Sequence, residues 1–465
     1  MNTRNDYELE TLPLELPDEI VKYKMCGDFK HASEAADRWL QRPIPEALKQ
    51  RIRIEQDFLA KLPQQYPYTP EETIRLFQKT VTDFTAADLE RLDQAGLAEW
   101  IFLDGEKHYI NNVFDNVMRV DADLRVRAHL DVAPSQESIF LKKVLQEMQE
   151  KGEAGRVFRM HASIGLKDEA FYPEIALKAH LPIPALYSPI EKIRILSHSE
   201  GKVTIDPEDA LCRTICIEAV LQENRPFFVE YEYTVRSTFV DLWQAPAVSL
   251  PENARWRMPD PVEADTKEQM PHIRFTPYLK VLAQELKGEE PDALIVARNI
   301  YNYITENVDY SYMRDYALIP DIPQYCARNL RGDCGVQALL FITLCRICGI
   351  PARWQSGLYT NPARSGPHDW ALFYTKEYGW RPVDPSFGGS AKRAGDEPRR
   401  RLYFGNIDPF RMTANHAFQH PFSVEKSFMR TDPYDNQCGE LESDRCGFTD
   451  DEMETAQELI SVSAL

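Results

Sequence analysis

Three residues in the carboxyl-terminal half have the types and the order that nucleophilic acyl transfer requires. Cys334 lies in Arg331-Gly332-Asp333-Cys334-Gly335, a turn running straight into the apolar stretch Val336 to Cys345. That pattern predicts a helix with Asp333 as its N-cap and the sulfur in the first turn. Unpaired backbone N–H groups and the positive end of the helix dipole favour a thiolate there, so the Cys334 pKa is expected to fall toward neutrality. His368 follows in Pro367-His368-Asp369-Trp370, and Asp384 in Gly379-Trp380-Arg381-Pro382-Val383-Asp384-Pro385. An imidazole can take the thiol proton and return it to a leaving amine, while a carboxylate orients the ring and stabilises its charge. Each residue alone has a plain structural reading, as a small core residue, a hydrogen-bonded strand histidine and a turn residue before proline. Their joint occurrence in this order makes cysteine chemistry at an amide bond the expectation.

The linked motifs resemble the transglutaminase-like superfamily, whose core is a papain-like fold. The resemblance runs from the helical stretch Asp292 to Ile304, through Gly332-Asp333-Cys334, to Cys348-Gly349-Ile350-Pro351-Ala352-Arg353. It ends with the His368-x-Trp370 strand and the Gly379-Trp380-x-x-x-Asp384-Pro385 strand. It implies that Cys334 is the nucleophile, His368 the base and Asp384 the orienting partner. Many relatives carry a carboxylate two residues after the tryptophan, where this chain has Leu372, a departure that bears on substrate rather than on the triad. Trp354, Trp370 and Trp380 are expected to contact substrate as walls of a dry channel. One oxyanion donor is the Cys334 backbone N–H, and Gln324, Tyr325 and Asn329 precede it at distances where a second could be sought.

No cofactor or metal is expected. Cys345 and Cys348, with Cys326 upstream, lack a second pair at finger-like spacing, and His416 and His420, four apart and able to share a helix face, have no ligand partners beside them. The net charge of −19 argues against nucleic acid and anionic membranes as partners. Nine cysteines at scattered spacing, Cys438 and Cys446 among them, read as reduced thiols rather than a disulfide framework. With neither a signal-peptide pattern nor an apolar run long enough to span a bilayer, the expected location is cytoplasmic.

The elements that must position these residues give an α+β chain: a papain-like transglutaminase core preceded by a β-sandwich domain and a helical amino-terminal region. Residues 1–150 carry helix signals, including Asp28 before Ala32, Ala35, Ala36, Trp39 and Leu40, the boxes Thr69/Glu72 and Thr85/Asp88, and a run from Ser138 to Glu150. Asp104-Gly105 between Trp100–Leu103 and Lys107–Ile110 predicts a tight hairpin. This region is an accessory domain, able to serve a protein partner or substrate choice. Over 151–250 the period switches to two, with strands expected at Val157–Ile164, Ile190–Leu196, Lys202–Ile205, Cys212–Leu221 and Phe227–Val235, and a loop at Leu181-Pro182-Ile183-Pro184. A linker dotted with Pro246, Pro251, Pro259, Pro261 and Pro271 leads into the core at 270–420. Within it, Leu402 to Met412 reads as a strand edging the cleft. Residues 421–465 read as an acidic tail ending in a short helix capped by Thr449.

The expected reaction is acyl transfer from a peptide or protein amide through a thioester, with water as acceptor. A true transglutaminase using an amine acceptor is the alternative within the class. A silent binding module retaining the fold is the alternative outside it.

Overall fold

The computed structural model describes residues 9–130, 135–243, 250 and 255–465. Pro246 and Pro251 of the expected linker lie outside the described residues.

Local rules build the amino-terminal region. Its helices are Asp18–Met25, Phe29–Leu40, Glu46–Gln65, Pro70–Gln78 and Ala86–Gln94, the first and third starting after Pro17 and Pro45 and the other three at capping side chains. Asp28 accepts from the His31 amide, and Thr69 with Glu72 and Thr85 with Asp88 form reciprocal capping boxes. The hairpin Trp100–Leu103 with Glu106–Tyr109 turns at Asp104 (φ 49°) and Gly105 (φ 85°), the two left-handed residues of a type I′ turn. Phe58, Phe77, Phe84 and Val117 close a core of their own. The helix Val113–Val120 ties this region to the rest: Asn116 Nδ2 donates to the Tyr312 carbonyl at 2.9 Å, and the Tyr312 amide donates to Asn116 Oδ1 at 2.6 Å.

After the helix Gln136–Lys151, two four-stranded antiparallel sheets form the β-sandwich. One orders Met453–Ala464, Glu153–Leu166, Phe227–Thr238 and Ile190–His198. The other orders Glu440–Ser443, Ile175–Pro182, Thr214–Leu221 and Lys202–Ile205. Inward residues alternate along the strands, Phe158, Met160 and Ala162 meeting Leu177, Ala179 and Ile217.

Two expectations are corrected here. The Leu181-Pro182 pair is not loop but the end of a strand, where proline's missing donor is tolerated. The carboxyl-terminal segment is not a free tail: the Thr449 box caps one 3-10 turn, Asp450–Glu452, and Met453–Ala464 then pairs along Glu153–Leu166.

The core carries the helices Pro277–Lys287, Ala293–Asn307, Ile322–Asn329 and Cys334–Ile347. They pack on a four-stranded antiparallel sheet ordered Gly379–Val383, Arg364–Thr375, Ala352–Asn361, Arg411–Asn415. Trp354, Ala371 and Phe373 on one face join the Cys334 helix in one hydrophobic cluster. Leu358, Tyr359 and Met412 join the sandwich core instead. No helix among the described residues is long and apolar enough to cross a membrane.

Removing Met453–Leu465 strips Glu153–Leu166 of its outer partner. The truncated chain is expected to unfold at a midpoint lowered by roughly 5 °C or more, read by thermal denaturation. An unchanged midpoint would mean the strand is decoration.

Candidate active site

The Cys334–Ile347 helix is apolar on all sides and buried along nearly its whole length, so its amino terminus is fixed by the core around it. Asp333 caps it, accepting from the Val336 amide at 3.1 Å, and Tyr316 donates its hydroxyl to the same carboxylate. Gly335 follows because no larger residue fits. A Cβ there would lie 2.3 Å from the Tyr316 hydroxyl, 2.7 Å from Asp369 Oδ2 and 2.9 Å from the Trp354 ring. Its absence lets Asp369 reach over the first turn.

His368 and Asp384 meet as the sequence predicts. His368 Nε2 donates to Asp384 Oδ2 at 2.8 Å, with both side chains buried. A carboxylate only accepts, so Nδ1 is left as the basic atom of the ring. Asp384 ends the strand Gly379–Val383 and caps the helix Pro385–Arg393, Oδ1 accepting from the Phe387 amide at 2.9 Å and from Ser386 Oγ at 2.8 Å. Arg411 Nη1 stands 2.9 Å from Asp384 Oδ2, and its Nη2 donates to Asp408 at 2.7 Å, every member wholly buried. Burial works to raise the Asp384 carboxyl, but His368, Arg411 and the Phe387 amide together hold it well below the usual carboxylate range. Burial lowers the His368 imidazole, Asp384 opposing that and Arg411 adding to it.

Cys334 stands apart from this pair. Neighbouring strand residues leave on opposite faces, and the thiol is on the Asp369 side, donating to Asp369 Oδ2 at 3.3 Å. Among the described residues it makes no hydrogen bond to His368. Burial pushes the thiol well above its ordinary range, and the carboxylates of Asp369 and Asp333 push it further. The helix terminus is outweighed, so the expected fall toward neutrality is reversed. Burial also raises Asp333 and Asp435 to about 6, and Asp369 well above the carboxyl range. Closely spaced carboxyls in a dry site keep protons, because each ionised one penalises the next. Gln437 closes this side, its amide donating to Asp369 Oδ1 at 2.7 Å and to the carbonyls of His368 and Gly357 at 3.1 and 3.2 Å.

A cavity of about 920 Å³ opens beside His368, with Tyr310, Tyr359 and Phe387 in its wall. Burial raises the Tyr310 phenol, and Cys334 and Asp333 raise it next.

The three tryptophans are packed inside rather than along this cavity. Trp370 donates its ring N–H to Gln355 at 2.7 Å, Trp380 to the Pro259 carbonyl at 2.9 Å, and the Trp354 ring lies tilted against Phe418 at 5.4 Å. Asn329 is occupied by the Tyr325 carbonyl at 2.8 Å, and the Tyr325 ring lies under Arg314. His416 and His420 share no helix. His416 follows the strand Arg411–Asn415 and bonds Gln355 at 2.8 Å, while His420 is in an exposed loop. All nine cysteines are free, and among the described residues no cluster of three or more His, Cys, Asp or Glu is arranged to hold a metal. Sequence reasoning missed Asp369, Gln437 and Arg411. Only Asp369 carried a signal, as the polar residue inside His-x-Trp.

The family model of the transglutaminase-like superfamily matches residues 280–385. No curated protein matches the chain in sequence. A candidate cysteine protease from Cytophaga hutchinsonii aligns in structure at 16% identity and TM-score 0.38, over 66% of this chain and 92% of that one. The periplasmic domain of TgpA from Pseudomonas aeruginosa aligns at 14% identity and TM-score 0.29, over 56% of this chain and 96% of that one. From the helix Pro277–Lys287 through the Cys334 helix to Asp384, the chain carries a core of the transglutaminase-like superfamily.

Proposed function

We propose that the chain is a cysteine hydrolase, a peptidase or amidase that cleaves an amide through a thioester on Cys334. The observation that carries this reading is the buried His368–Asp384 pair at 2.8 Å, beside a cavity and one residue from the strand position that touches the thiol. In the reaction, the thiol turns from Asp369 and His368 Nδ1 takes its proton. The sulfur attacks the carbonyl carbon, and the imidazolium returns the proton to the leaving amine as the C–N bond breaks. Water then gives a proton to Nδ1 and its oxygen to the acyl carbon, which releases the thiol. Asp384 and Asp408 carry two negative charges against the single charge of Arg411, so the imidazolium forms in a net negative pocket. The cavity of about 920 Å³ has room for water as the acyl acceptor. Nine cysteines without a disulfide support a cytoplasmic location.

The test incubates the full chain with glutamine-containing peptides, with and without a primary amine, and follows products by mass spectrometry. Hydrolysis is expected in both, with losses of about 10³-fold or more in kcat for Cys334→Ser and for His368→Ala. Products carrying the amine would reassign the acceptor. No turnover together with no labelling of Cys334 by iodoacetamide at any pH would leave a binding module.

Asp369 offers a second check. Its folded pKa is raised, so from the ordinary carboxyl value up to the raised one the folded chain keeps a proton that the unfolded chain loses, and stability falls as pH rises across that interval. Asp369→Asn keeps an acceptor for Gln437 and removes one ionisable group. The variant is expected to be more stable at pH 7 by on the order of 1 kcal/mol, and its Cys334 to label faster with iodoacetamide. Slower labelling would mean that Asp369 aids the thiolate.

A further inference from the structure

We infer that the cavity beside His368 receives an anionic segment of the substrate, and that the amino-terminal helical region exists in part to read it. The inference rests on the cavity being the substrate side of His368. Five arginines line it, Arg119, Arg125, Arg364, Arg393 and Arg399, against two carboxylates, Asp309 and Glu137. Such an excess is out of character for a chain of net charge −19, whose overall field repels anions.

Three of these arginines meet their carboxylates only at long range. Arg364 is 3.7 Å from Glu137, Arg393 is 3.7 Å from Asp309, and Arg399 is 3.5 Å from Asp396. These ion pairs are at the long end of the range, and Arg393 Nη1 also donates to the Val308 carbonyl at 3.3 Å, which leaves its other donors for a closer acceptor. Arg399 Nε is buried without a hydrogen-bond partner. Arg119 is held by aromatics: it donates to the Tyr312 hydroxyl at 2.6 Å and lies over the Tyr310 and Tyr312 rings at 4.8 and 4.6 Å. Stacking fixes its plane without neutralising it, the state in which a guanidinium takes a carboxylate by two parallel hydrogen bonds. Tyr310, His368 and Arg119 line the same cavity, so an anion seated on Arg119 places its neighbouring residue on the His368 side. The ligand chemistry is a peptide with carboxylate side chains flanking the acyl-bearing residue. Arg119 and Arg125 come from the amino-terminal helices, and Arg393 and Arg399 from the core.

Binding is measured on the full chain carrying Cys334→Ala, so that turnover does not enter. The probes are rhodamine-labelled Glu-Gln-Glu, Gln-Gln-Gln and Lys-Gln-Lys peptides, followed by fluorescence anisotropy at low and high salt. Glu-Gln-Glu is expected to bind at least about tenfold more tightly than Lys-Gln-Lys, and to weaken about tenfold in Arg393→Glu and in Arg119→Glu. Salt should weaken it as well, and Arg393→Lys should restore binding. Equal affinity for the three peptides, absence of binding, or indifference to both charge reversals overturns the inference. Tight acidic-peptide binding by a parent chain that turns nothing over would instead count against the hydrolase reading alone.

Discussion

The wholly buried ion cluster of Asp384, Arg411 and Asp408 is the constraint from which the core's layout follows. Removing charges from water is unfavourable by several kcal/mol per ion, and the loss is recovered only where hydrogen bonds and opposite charge meet every group. Asp384 therefore has to arrive with its partners in place. The strand Gly379–Val383 must stop there, the helix Pro385–Arg393 must begin there, and the chain must return through Tyr403, whose carbonyl accepts from the Asp384 amide at 3.0 Å. Arg411 then enters on the first residue of the sheet's edge strand. One guanidinium between two carboxylates leaves a single negative charge, and His368 is the group beside it that can gain a positive one.

The thiol sits in the opposite electrostatic regime. Asp333, Asp369 and Asp435 crowd a dry space in which protons are retained, and the carboxyl-terminal segment seals it through Gln437. The resting pair is then a protonated thiol and a neutral imidazole, each in its less charged form. A helix amino terminus lowers a thiol pKa by a fraction of what burial and nearby carboxylates raise it, so location at a helix start does not alone make a nucleophile. In the proposed reaction, proton transfer waits for the thiol to leave Asp369.

What was legible in the sequence was what neighbours in the chain decide. The capping boxes at Thr69 and Thr85, the Asp104-Gly105 turn and Asp333 as cap of the Cys334 helix each depend on residues within three or four positions. The His368–Asp384 pair was legible for a different reason, because the spacing of two antiparallel strands fixes it. Long-range balance was not legible. Met453–Ala464 pairs on one side only and leaves most side chains exposed, so it lacks the alternation that marks a strand. The tryptophans' fate depended on partners such as Gln355 and Pro259 that no local pattern names. Arg411 is a single cation in a segment whose aromatic content had suggested a cleft wall.

His368 and Asp369 put these two regimes side by side. Adjacent residues on a strand cannot share a face, so the sequence His-Asp places one side chain with Asp384 and Arg411 and the next with the thiol. The strand acts as a partition between a cluster that can stabilise an imidazolium and one that holds a thiol neutral. A larger residue at 335 would push Asp369 away from Cys334, and with it the restraint on the sulfur. Gly335 is thus needed for the resting state as much as for the packing of the helix.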